Sequence, residues 1–382
     1  MNLPSGLRIL GDLITSQVFD RIIIGGLMKS VIQSCSALGL LLAIAITIPA
    51  VAGAARPPQD SATAHYHIVK KVVLGGEGGW DYLGFDAQNR HLFVSHGTQV
   101  LVIDPDTVRV VGNIPNTLGV HGIAVAPELN RGFTSDGRSD QVAVFNLKTL
   151  KTIGTVKVTG HNPDGITYDP SSQRVFTFNG RSDNATAIDA KTLKVVGTIS
   201  LGGKPEFAVP DGHGMIYNNL EDKSVELAID SHTLQIKSRW PMAPCDSPSG
   251  LAIDVEHNVL FAGCHNEIMT MINAGTGKVI ATVPIGGGVD ANRFDPGTGL
   301  AFSSNGTGTL TVVREETPTE FKVVQNVATE RGARTMEVDP KTHRVFLVTA
   351  RFGPRPAGAA GQGRPRRPPI VPNSFTLLVL AP

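Results

Sequence analysis

The chain has 382 residues, with 42 glycines, 25 prolines, 5% aromatic and 18% charged residues, and a formal net charge of +1. Residues 1–54 hold three basic and two acidic residues, which leaves 31 of each sign in the rest. This balance argues against an ordinary nucleic-acid binder, because such proteins carry a basic excess that supplies affinity through counterion release. Abundant glycine and proline with few aromatic residues is typical of many short strands joined by tight turns.

The first 54 residues have the features of an export signal. A segment starting at Met28 carries a lysine, an apolar run at Ala37–Ile48, and small residues that allow cleavage at Ala50, Ala52 and Ala54. We predict a signal peptide over residues 1–54, with residues 1–27 as an upstream mis-start, and export to the periplasm or the extracellular space. The alternative is a retained anchor, which the short apolar run disfavours. Residues 55–64 are polar and Pro-rich and predict a flexible leader, and no membrane span is expected in the mature chain.

From residue 65 onward the sequence consists of variants of one repeat. Seven units begin with the strand-like runs WDYLGFD, VHGIAVA, PDGITYD, PEFAVPD, PSGLAID, VDANRFD and ARTMEVD. The second residue of each run, here called the marker residue, lies at position 81, 121, 164, 206, 249, 290 or 334, at spacings of 40 to 44. Each unit continues with a turn, a second strand, a polar loop, a third strand and a fourth strand that ends near a Gly pair. This period with four strands per unit is the signature of a β-propeller blade.

The two ends of the repeat region complement each other. The seventh unit stops after its third strand-like run, Ser374–Pro382, and the early run His65–Leu74 resembles a fourth strand with no unit before it. Placing the early run at the edge of the last blade closes the ring and removes an open sheet edge. We therefore predict an all-β, seven-bladed β-propeller over residues 65–382, with four antiparallel strands per blade, and we expect a monomer.

The repeat carries three motifs: P-x-G-[IL]-[AT]-[VIY]-[DP], R-[VL]-F-[VT]-[TS]-N, and D-[PA]-x-T-x-K-V-[VI]-G-T-[IV]-x-[LV]-G-G. In these motifs the chain resembles the YVTN-type repeats of YncE-like seven-bladed β-propellers, over residues 65–382. The resemblance implies an exported propeller. Some members of that family are linked to single-stranded DNA binding and others to surface layers, so it implies no single activity.

In a propeller, the loops between blades and the loops between second and third strands open on one face around the central channel. We therefore expect the marker residues to form a ring at the channel mouth: Asp81, His121, Asp164, Glu206, Ser249, Asp290 and Arg334. A second ring, fifteen residues further along, comprises His96, Asp136, Asn179, Cys264, Asn305 and Thr349, with Asn219 at the corresponding place in the fourth unit. Four carboxylates facing one axis repel one another, which raises some pKa values or favours a bound cation.

These rings predict the candidate site. The predicted ligand-binding residues are Asp81, His121, Asp164, Glu206, Asp290, Arg334, His96, Asp136, Asn179, Asn219 and Asn305. The candidate ligands for a divalent cation are Asp81, His121, Asp164, Glu206 and Asp290, since oxygen-rich clusters suit Ca²⁺ or Mg²⁺ and histidine permits a transition metal. A binding or scaffold module for a small molecule, a metal or a protein partner is the main interpretation. One alternative is a metal-dependent hydrolase or lyase with His121 as base, and another is a solvated funnel without a ligand.

Cys245 lies four residues before the fifth marker and Cys264 lies fifteen residues after it. Both positions fall at the mouth of the fifth blade, which predicts a disulfide that fastens the interblade loop. The sequence holds no C-x-x-C-H motif, which excludes c-type haem attachment.

Residues 351–373, between the second and third strands of the last blade, form an insertion rich in arginine, proline and glycine. It contains five arginines and no acid. Such a segment is flexible or partly polyproline II. It is predicted to overhang the ring as a lid, as a docking arm for an anionic polymer or a partner, or as a disordered insertion. Single-stranded nucleic-acid binding through Arg364, Arg366 and Arg367 is a further alternative, although the ring offers few aromatic side chains for stacking.

Overall fold

The computed structural model describes residues 65–354 and 368–382. The predicted signal peptide and leader, residues 1–64, lie outside the described residues. So do four of the five arginines of the insertion, Arg355, Arg364, Arg366 and Arg367. The described residues form seven four-stranded antiparallel sheets, as the sequence predicts.

The strands of the first four blades follow one another along the chain after strand β1, which spans His67–Val73. Blade 1 has β2 to β5 at Leu83–Asp86, His91–His96, Gln99–Asp104 and Arg109–Pro115. Blade 2 has β6 to β9 at Val120–Ala126, Arg131–Asp136, Gln141–Asn146 and Thr152–Lys157, with a 3₁₀ turn at Pro127–Leu129. Blade 3 has β10 to β13 at Pro163–Asp169, Arg174–Asn179, Asn184–Asp189 and Val195–Ser200. Blade 4 has β14 to β17 at Pro205–Pro210, Met215–Leu220, Val225–Asp230 and Ile236–Pro241.

The remaining blades continue the pattern until the chain ends. Blade 5 has β18 to β21 at Pro248–Asp254, Val259–Cys264, Ile268–Asn273 and Val279–Pro284. Blade 6 has β22 to β25 at Val289–Asp295, Leu300–Asn305, Thr309–Thr317 and Glu320–Ala328. Blade 7 has β26 to β28 at Thr335–Val338, Val345–Thr349 and Thr376–Ala381. In blade 7 the fourth strand is β1, which pairs antiparallel with β28 from His67 opposite Ala381 to Val73 opposite Thr376. The predicted ring closure is therefore confirmed.

Tyr66, directly before β1, anchors the closing strand to blade 6 as well. Its backbone N–H donates to the side chain of Gln325 at 2.9 Å, and the Gln325 amide donates to its carbonyl at 2.8 Å. Its hydroxyl donates to the carbonyl of His343 at 2.9 Å, and its ring packs edge-on against Phe302 at 5.1 Å. The side chain is 1% exposed, so a single buried residue joins the N-terminal strand to two blades.

The core repeats from blade to blade. Second and third strands are almost fully buried, whereas fourth strands are largely exposed, because each sheet is packed between neighbours and its outer edge meets solvent. One position of the second strand carries an aromatic residue in all seven blades: Phe93, Phe133, Phe176, Tyr217, Phe261, Phe302 and Phe346. These rings supply much of the apolar surface between neighbouring blades.

Blade 4 buries a carboxyl group at a place that is apolar in the other blades. Glu226 is fully buried in β16, and neither of its carboxyl oxygens has a hydrogen-bond partner. The corresponding residues of the other six blades are Val100, Val142, Ala185, Met269, Leu310 and Leu377, each also fully buried. Burial raises the pKa of Glu226 well above its usual value, so the folded protein holds this group in its neutral form.

Glu226→Leu is expected to raise the free energy of unfolding by about 1–3 kcal/mol at pH 7.5, the usual cost of an unsatisfied buried polar group. Because the folded pKa is raised, the stability penalty of Glu226 begins above the unfolded pKa and grows as pH rises. The gain should therefore shrink towards pH 4.5, in urea unfolding at both pH values. Glu226→Gln is the matched control, since it removes the titration and keeps a polar group. A less stable leucine variant, or an equal gain at both pH values, would contradict a neutral Glu226.

Candidate functional site

Six of the seven marker residues surround one cavity of about 260 Å³ at the channel mouth: Asp81, His121, Asp164, Glu206, Asp290 and Arg334. We call this cavity the acidic cup. The seventh marker, Ser249, lies beside it in a larger cavity described below. The sequence therefore predicted the composition of the ring correctly for six blades.

The marker residues lie where the ladder between the first and second strands is interrupted. In blades 2 to 6 the residue before the marker pairs with the last residue of the second strand and is buried, as in Pro163 opposite Asn179, and the register then shifts. In blade 3 the marker Asp164 lies within this irregularity, and its side chain lines the acidic cup. In blades 1 and 7 the first strand begins later than predicted, at Leu83 and Thr335, so Asp81 and Arg334 project from the preceding loops.

The glycine after the marker in P-D-G and P-S-G allows adjacent first strands to approach. A Cβ at Gly165 would lie 2.8 Å from the carbonyl oxygen of Glu206, and one at Gly250 would lie 2.6 Å from the backbone nitrogen of Asn292. Side chains larger than hydrogen would separate these strands. The narrow spacing keeps the carboxyl groups of the acidic cup close to one another.

Three cations pair with the carboxylates of the acidic cup. His121 Nδ1 lies 2.7 Å from Asp81 Oδ2 and 3.5 Å from Asp164 Oδ1. Arg334 Nη1 donates to Asp290 Oδ2 at 2.6 Å. The sequence prediction missed the third pair, in which Lys204 Nζ contacts both Glu206 and Glu221. Lys204 is the lysine of the run GGKPE, two residues before the marker, and the equivalent positions of the other blades gave no reason to expect an inward lysine.

Three carboxyl groups of the acidic cup hold protons more tightly than usual. Burial and the charge of Asp81 raise the pKa of Asp164 to about 6. Burial and the charge of Asp164 raise the pKa of Glu206 to about 8, despite the nearby Lys204. Burial raises the pKa of Asp290 to about 7, although Arg334 opposes the shift. Near neutral pH these groups are only partly ionised, and an additional cation in the cup would favour loss of their protons.

His121 is held as a cation by the same carboxylates. Burial disfavours its charged form, but its hydrogen bond to Asp81 and the charges of Asp164 and Asp81 outweigh this and raise its pKa to about 9. A general base that is already protonated at neutral pH cannot accept a proton. The protonated His121 therefore balances the charge of the carboxylates in the cup, and in this state it cannot act as a general base.

Aromatic side chains form the floor of the acidic cup. The ring of Tyr82 lies 4.7 Å from that of Phe207, and the Arg293 guanidinium lies 5.0 Å above the Phe207 ring. Arg293 is fixed by Glu337 at 2.8 Å. Burial and the surrounding carboxylates raise the pKa of Tyr82 well above its usual value, so its hydroxyl keeps its proton. Tyr82, Phe207 and Arg293 also border a second cavity of about 360 Å³ further down the channel.

Above the acidic cup lies a vestibule of about 850 Å³. It shares Glu206, Asp290 and Arg334 with the cup, so the two cavities adjoin. Its further polar lining includes Lys204, Glu221, Ser249, His265 and Arg331, and its apolar lining includes Trp80, Phe352, Pro368 and Ile370. The described ends of the arginine-rich insertion thus form part of the vestibule wall.

Trp80 and the base of the insertion form a continuous apolar wall. The Trp80 ring lies 6.1 Å from Phe352 and 5.3 Å from Phe375. Phe352 forms an isolated antiparallel bridge with Ile370, which joins the two ends of the insertion. Trp80 therefore both packs on its neighbours and borders the vestibule.

The second ring does not line either mouth cavity. His96, Asp136, Asn179, Cys264, Asn305 and Thr349 are all buried. Their polar groups are used inside the blades: the Asn179 amide donates to Asn184 and Thr186, at 2.7 and 3.0 Å, and His96 stacks on Phe375 at 4.1 Å. The expectation that this ring faces the channel is wrong, because the last residue of a second strand points between blades. We leave these residues out of the candidate site.

The predicted position of Asn219 in the second ring is also wrong by one residue. In blade 4 the partner of Pro205 is Leu220, whereas Pro163 in blade 3 pairs with Asn179. Leu220 therefore occupies the second-ring position, and Asn219 occupies the preceding one. The Asn219 amide donates to the carbonyl of Ser249 in blade 5 at 2.8 Å, which makes it a link between blades.

The structure narrows the set of candidate metal ligands. Among the described residues of the channel mouth, Asp81, His121 and Asp164 offer ligand atoms within 4.8 Å of one another. The other two predicted ligands, Glu206 and Asp290, instead contact Lys204 and Arg334. A metal at this position would have to replace the Nδ1 proton that His121 shares with Asp81.

The predicted disulfide between Cys245 and Cys264 is confirmed, with a Cα–Cα distance of 5.5 Å. Cys245 lies in the loop between β17 and β18, and Cys264 ends β19. The bond is typical of an oxidising compartment. None of the helical segments among residues 65–354 and 368–382 has the length and apolar character to cross a membrane.

Comparison with known proteins supports the fold. No protein-family model and no curated protein matches the sequence. Among solved structures, the RRP9 WD40 repeats superpose with a TM-score of 0.67 at 9% identity, covering 83% of this chain and 99% of that one. U3-55K gives a TM-score of 0.65 at 9% identity, covering 82% and 98%. Hydrazine synthase from Kuenenia stuttgartiensis gives 0.62 at 16% identity, covering 70% and 92%. The chain is thus a seven-bladed β-propeller with WD40-like structural neighbours. Sequence identities this low indicate a shared fold and not a shared activity.

Proposed function

We propose that the protein is an exported binding module whose channel mouth takes a small organic cation with an apolar or aromatic body. The cationic group would enter the acidic cup, and the body would occupy the vestibule. The observation that carries the proposal is the adjacency of the two cavities through Glu206, Asp290 and Arg334. Their volumes, about 260 and 850 Å³, suit a ligand of ordinary metabolite size.

The charge of the acidic cup supports the cationic end of this ligand. Asp81, Asp164, Glu206 and Asp290 face one small volume, and the pKa values of three of them are raised by burial. An incoming ammonium group would stabilise their ionised forms and form charge-assisted hydrogen bonds. When all four carboxylates are ionised they outnumber the three cations paired with them, so an anion is disfavoured in the cup.

The vestibule supports the apolar end. Trp80, Phe352 and Ile370 lie on one side of it, and the aromatic faces attract both apolar groups and cations. The charged lining of the vestibule comprises three carboxylates, three cations and one imidazole: Glu206, Glu221, Asp290, Lys204, Arg331, Arg334 and His265. A ligand with separate charged and apolar ends would match both surfaces.

A metal-dependent hydrolase or lyase is the second candidate, and the cluster of Asp81, His121 and Asp164 favours it. In that case a divalent cation would bind these three side chains, and a bound water would supply the nucleophile. The raised pKa of His121 weighs against this candidate, because the metal must compete with a tightly held proton.

Three further predictions belong to the same proposal. Membership of the YncE-like propellers rests on the repeat motifs, and export rests on residues 1–54 together with the disulfide. A monomer is expected because closure of the ring pairs the edges of blade 7 within one chain. Nucleic-acid binding is not favoured, since the described mouth is lined by several carboxylates.

The test is a thermal-shift and calorimetric comparison of 2-phenylethylamine with 3-phenylpropanoate, its matched anion. The amine is expected to raise the melting temperature and the anion is not, because a ligand that binds only the folded state stabilises it. Affinity for the amine should rise about tenfold from pH 6 to pH 8, since Asp290 and Glu206 ionise across this range. Asp164→Asn should weaken binding at least tenfold.

Glu316→Gln is the matched control, because it removes one exposed acid on the opposite face of the ring. It should leave the affinity unchanged. Equal binding of amine and anion, or full affinity in Asp164→Asn, would overturn the proposed ligand class. A stoichiometric metal that leaves with a chelator and is lost in His121→Gln would instead favour the hydrolase or lyase.

A further inference from the structure

A second group of charged side chains lies on the opposite face of the ring, between blades 5 and 6. Asp254 ends the first strand of blade 5, His257 lies in the turn that follows, and Glu315 lies near the end of β24 in blade 6. Each of the three offers a ligand atom within 4.8 Å of the others. None of these residues belongs to the acidic cup or the vestibule.

The equivalent place in three other blades holds a hydrogen-bond donor. A buried aspartate lies at or directly after the end of the first strand of blades 3, 6 and 7, and a residue of the next blade donates to it. Ser231 donates to Asp169 at 2.6 Å, His343 contacts Asp295 at 2.7 Å, and Arg90 donates to Asp339 at 2.8 Å. In blade 5 the next blade supplies Glu315 instead, which places a second carboxyl group against Asp254.

The hairpin of blade 6 fixes Glu315 at this place. Strands β24 and β25 have nine residues each, whereas the third strands of the other blades have six. Glu315 lies in the extension, opposite Phe321, and its backbone N–H donates to the carbonyl of Gly299 at 3.0 Å. Phe321 packs edge-on against Phe261 of blade 5 at 5.8 Å. The pairing of the hairpin therefore holds the backbone of Glu315 beside blade 5.

The carboxyl groups of Asp254 and Glu315 are buried, and few hydrogen-bond donors surround them. The side chains of Asp254 and Glu315 are 5% and 3% exposed, while that of His257 is 43% exposed. His257 Nδ1 lies 2.6 Å from Asp254 Oδ2 and 3.0 Å from Glu315 Oε1, so its single N–H faces two carboxylates. Both carboxyl oxygens of Glu315 are buried, and their contacts are with the His257 ring and the Asp254 carboxyl group, so neither oxygen has a hydrogen-bond donor of its own. Burial and the charge of Asp254 raise the pKa of Glu315 to about 7.

We propose that Asp254, His257 and Glu315 form a binding site for a divalent transition metal, with Zn²⁺ as its best fit. One imidazole nitrogen and two carboxylate oxygens are common zinc ligands at 2.0–2.2 Å, which places neighbouring donors roughly 3 Å apart. The distances from His257 Nδ1 to the two carboxylates are close to this value. The metal would take the place of the Nδ1 proton and give the two buried carboxylates one shared cation.

The exposed side of His257 leaves room for water as a fourth ligand, as a four-coordinate zinc requires. Ca²⁺ fits less well, since it takes six to eight oxygen ligands and this group offers one nitrogen and two carboxylates. Because the metal would join the first strand of blade 5 to the hairpin of blade 6, its binding is expected to stabilise the packing of these two blades.

The test measures Zn²⁺ binding to the full chain after chelator treatment, in an Asp164→Asn background that removes a donor from the acidic cup. One equivalent of Zn²⁺ is expected to bind and to raise the melting temperature. Adding Glu315→Gln should weaken binding more than tenfold, since loss of a ligand exceeds the ten- to hundredfold effect of losing a group behind it. The amide can donate to Asp254, so this variant should fold with an unchanged or higher melting temperature without zinc.

Glu320→Gln, which removes an exposed acid of the same hairpin, is the matched control and should leave Zn²⁺ binding unchanged. His257→Gln is the second ligand variant and should lose binding as Glu315→Gln does. Absence of a Zn²⁺-dependent rise in melting temperature, or unchanged binding in Glu315→Gln, would overturn the site. The amine experiment on the acidic cup does not depend on this result, because the two sites share no residue.

Discussion

Replacing Tyr66 by alanine is expected to lower the free energy of unfolding by about 3–5 kcal/mol, the usual cost of deleting a large buried aromatic side chain. The ring is 1% exposed, packs on Phe302, and donates from its hydroxyl to His343. Loss of this side chain removes the ring contact with blade 6 and the hydrogen bond to His343 in blade 7, while the backbone bonds to Gln325 remain. Urea unfolding followed by circular dichroism measures the change.

Tyr66→Phe separates the two contributions, because it keeps the ring and removes the hydroxyl. It should cost about 0.5–1.5 kcal/mol, as expected for a single hydrogen bond. Val69→Ala, at an exposed position of the same strand, should have little effect. If alanine at position 66 were as stable as the wild type, the backbone hydrogen bonds to Gln325 and the pairing with β28 would be enough to hold the closing strand.

Removing the Cys245–Cys264 bond should lower the free energy of unfolding by about 3 kcal/mol, the loop-entropy value for a bridge that closes about 20 residues. The comparison is between oxidised protein, protein with reductant, and the Cys245→Ala, Cys264→Ala double variant. Residues 65–382 contain no other cysteine, so reductant should have no effect on the double variant. Equal unfolding midpoints in all three would show that the bridge does not constrain the unfolded chain.

The fold could be predicted from the sequence because both the spacing of the repeat and the incomplete last unit are visible in it. The spacing of 40 to 44 gave the number of blades, and the missing strand in the last unit gave the closure. Five first strands begin at the predicted residue, from Val120 in blade 2 to Val289 in blade 6. Blades 1 and 7 begin later, because ladder pairing starts only at Leu83 and Thr335 where the ring closes.

The sequence predicted which types of residue line the acidic cup, but not which of them form ion pairs. The repeat places the marker residues at the start of the first strands, at the channel mouth, and this was enough to find Asp164 or Asp290. The partners of these residues depend on distances across the channel, which repeat spacing does not contain. Lys204 and Tyr82 were missed for this reason. Leu220, and not Asn219, occupies the second-ring position of blade 4. The shortened turn of this blade allows two alignments with the other blades, and only the pairing of Pro205 with Leu220 decides between them.

Ring closure by β1 also determines when this molecule can finish folding. Within blades 1 to 6, every ladder joins strands that are neighbours along the chain, whereas His67 pairs with Ala381, about 310 residues away. Such a distant contact carries a larger loop-closure entropy and forms slowly. The first strand to emerge must wait for the last, so blade 7 has an unpaired edge until synthesis and any transport of the chain are complete. During that interval the unpaired strands are the part of the chain most exposed to association with other copies.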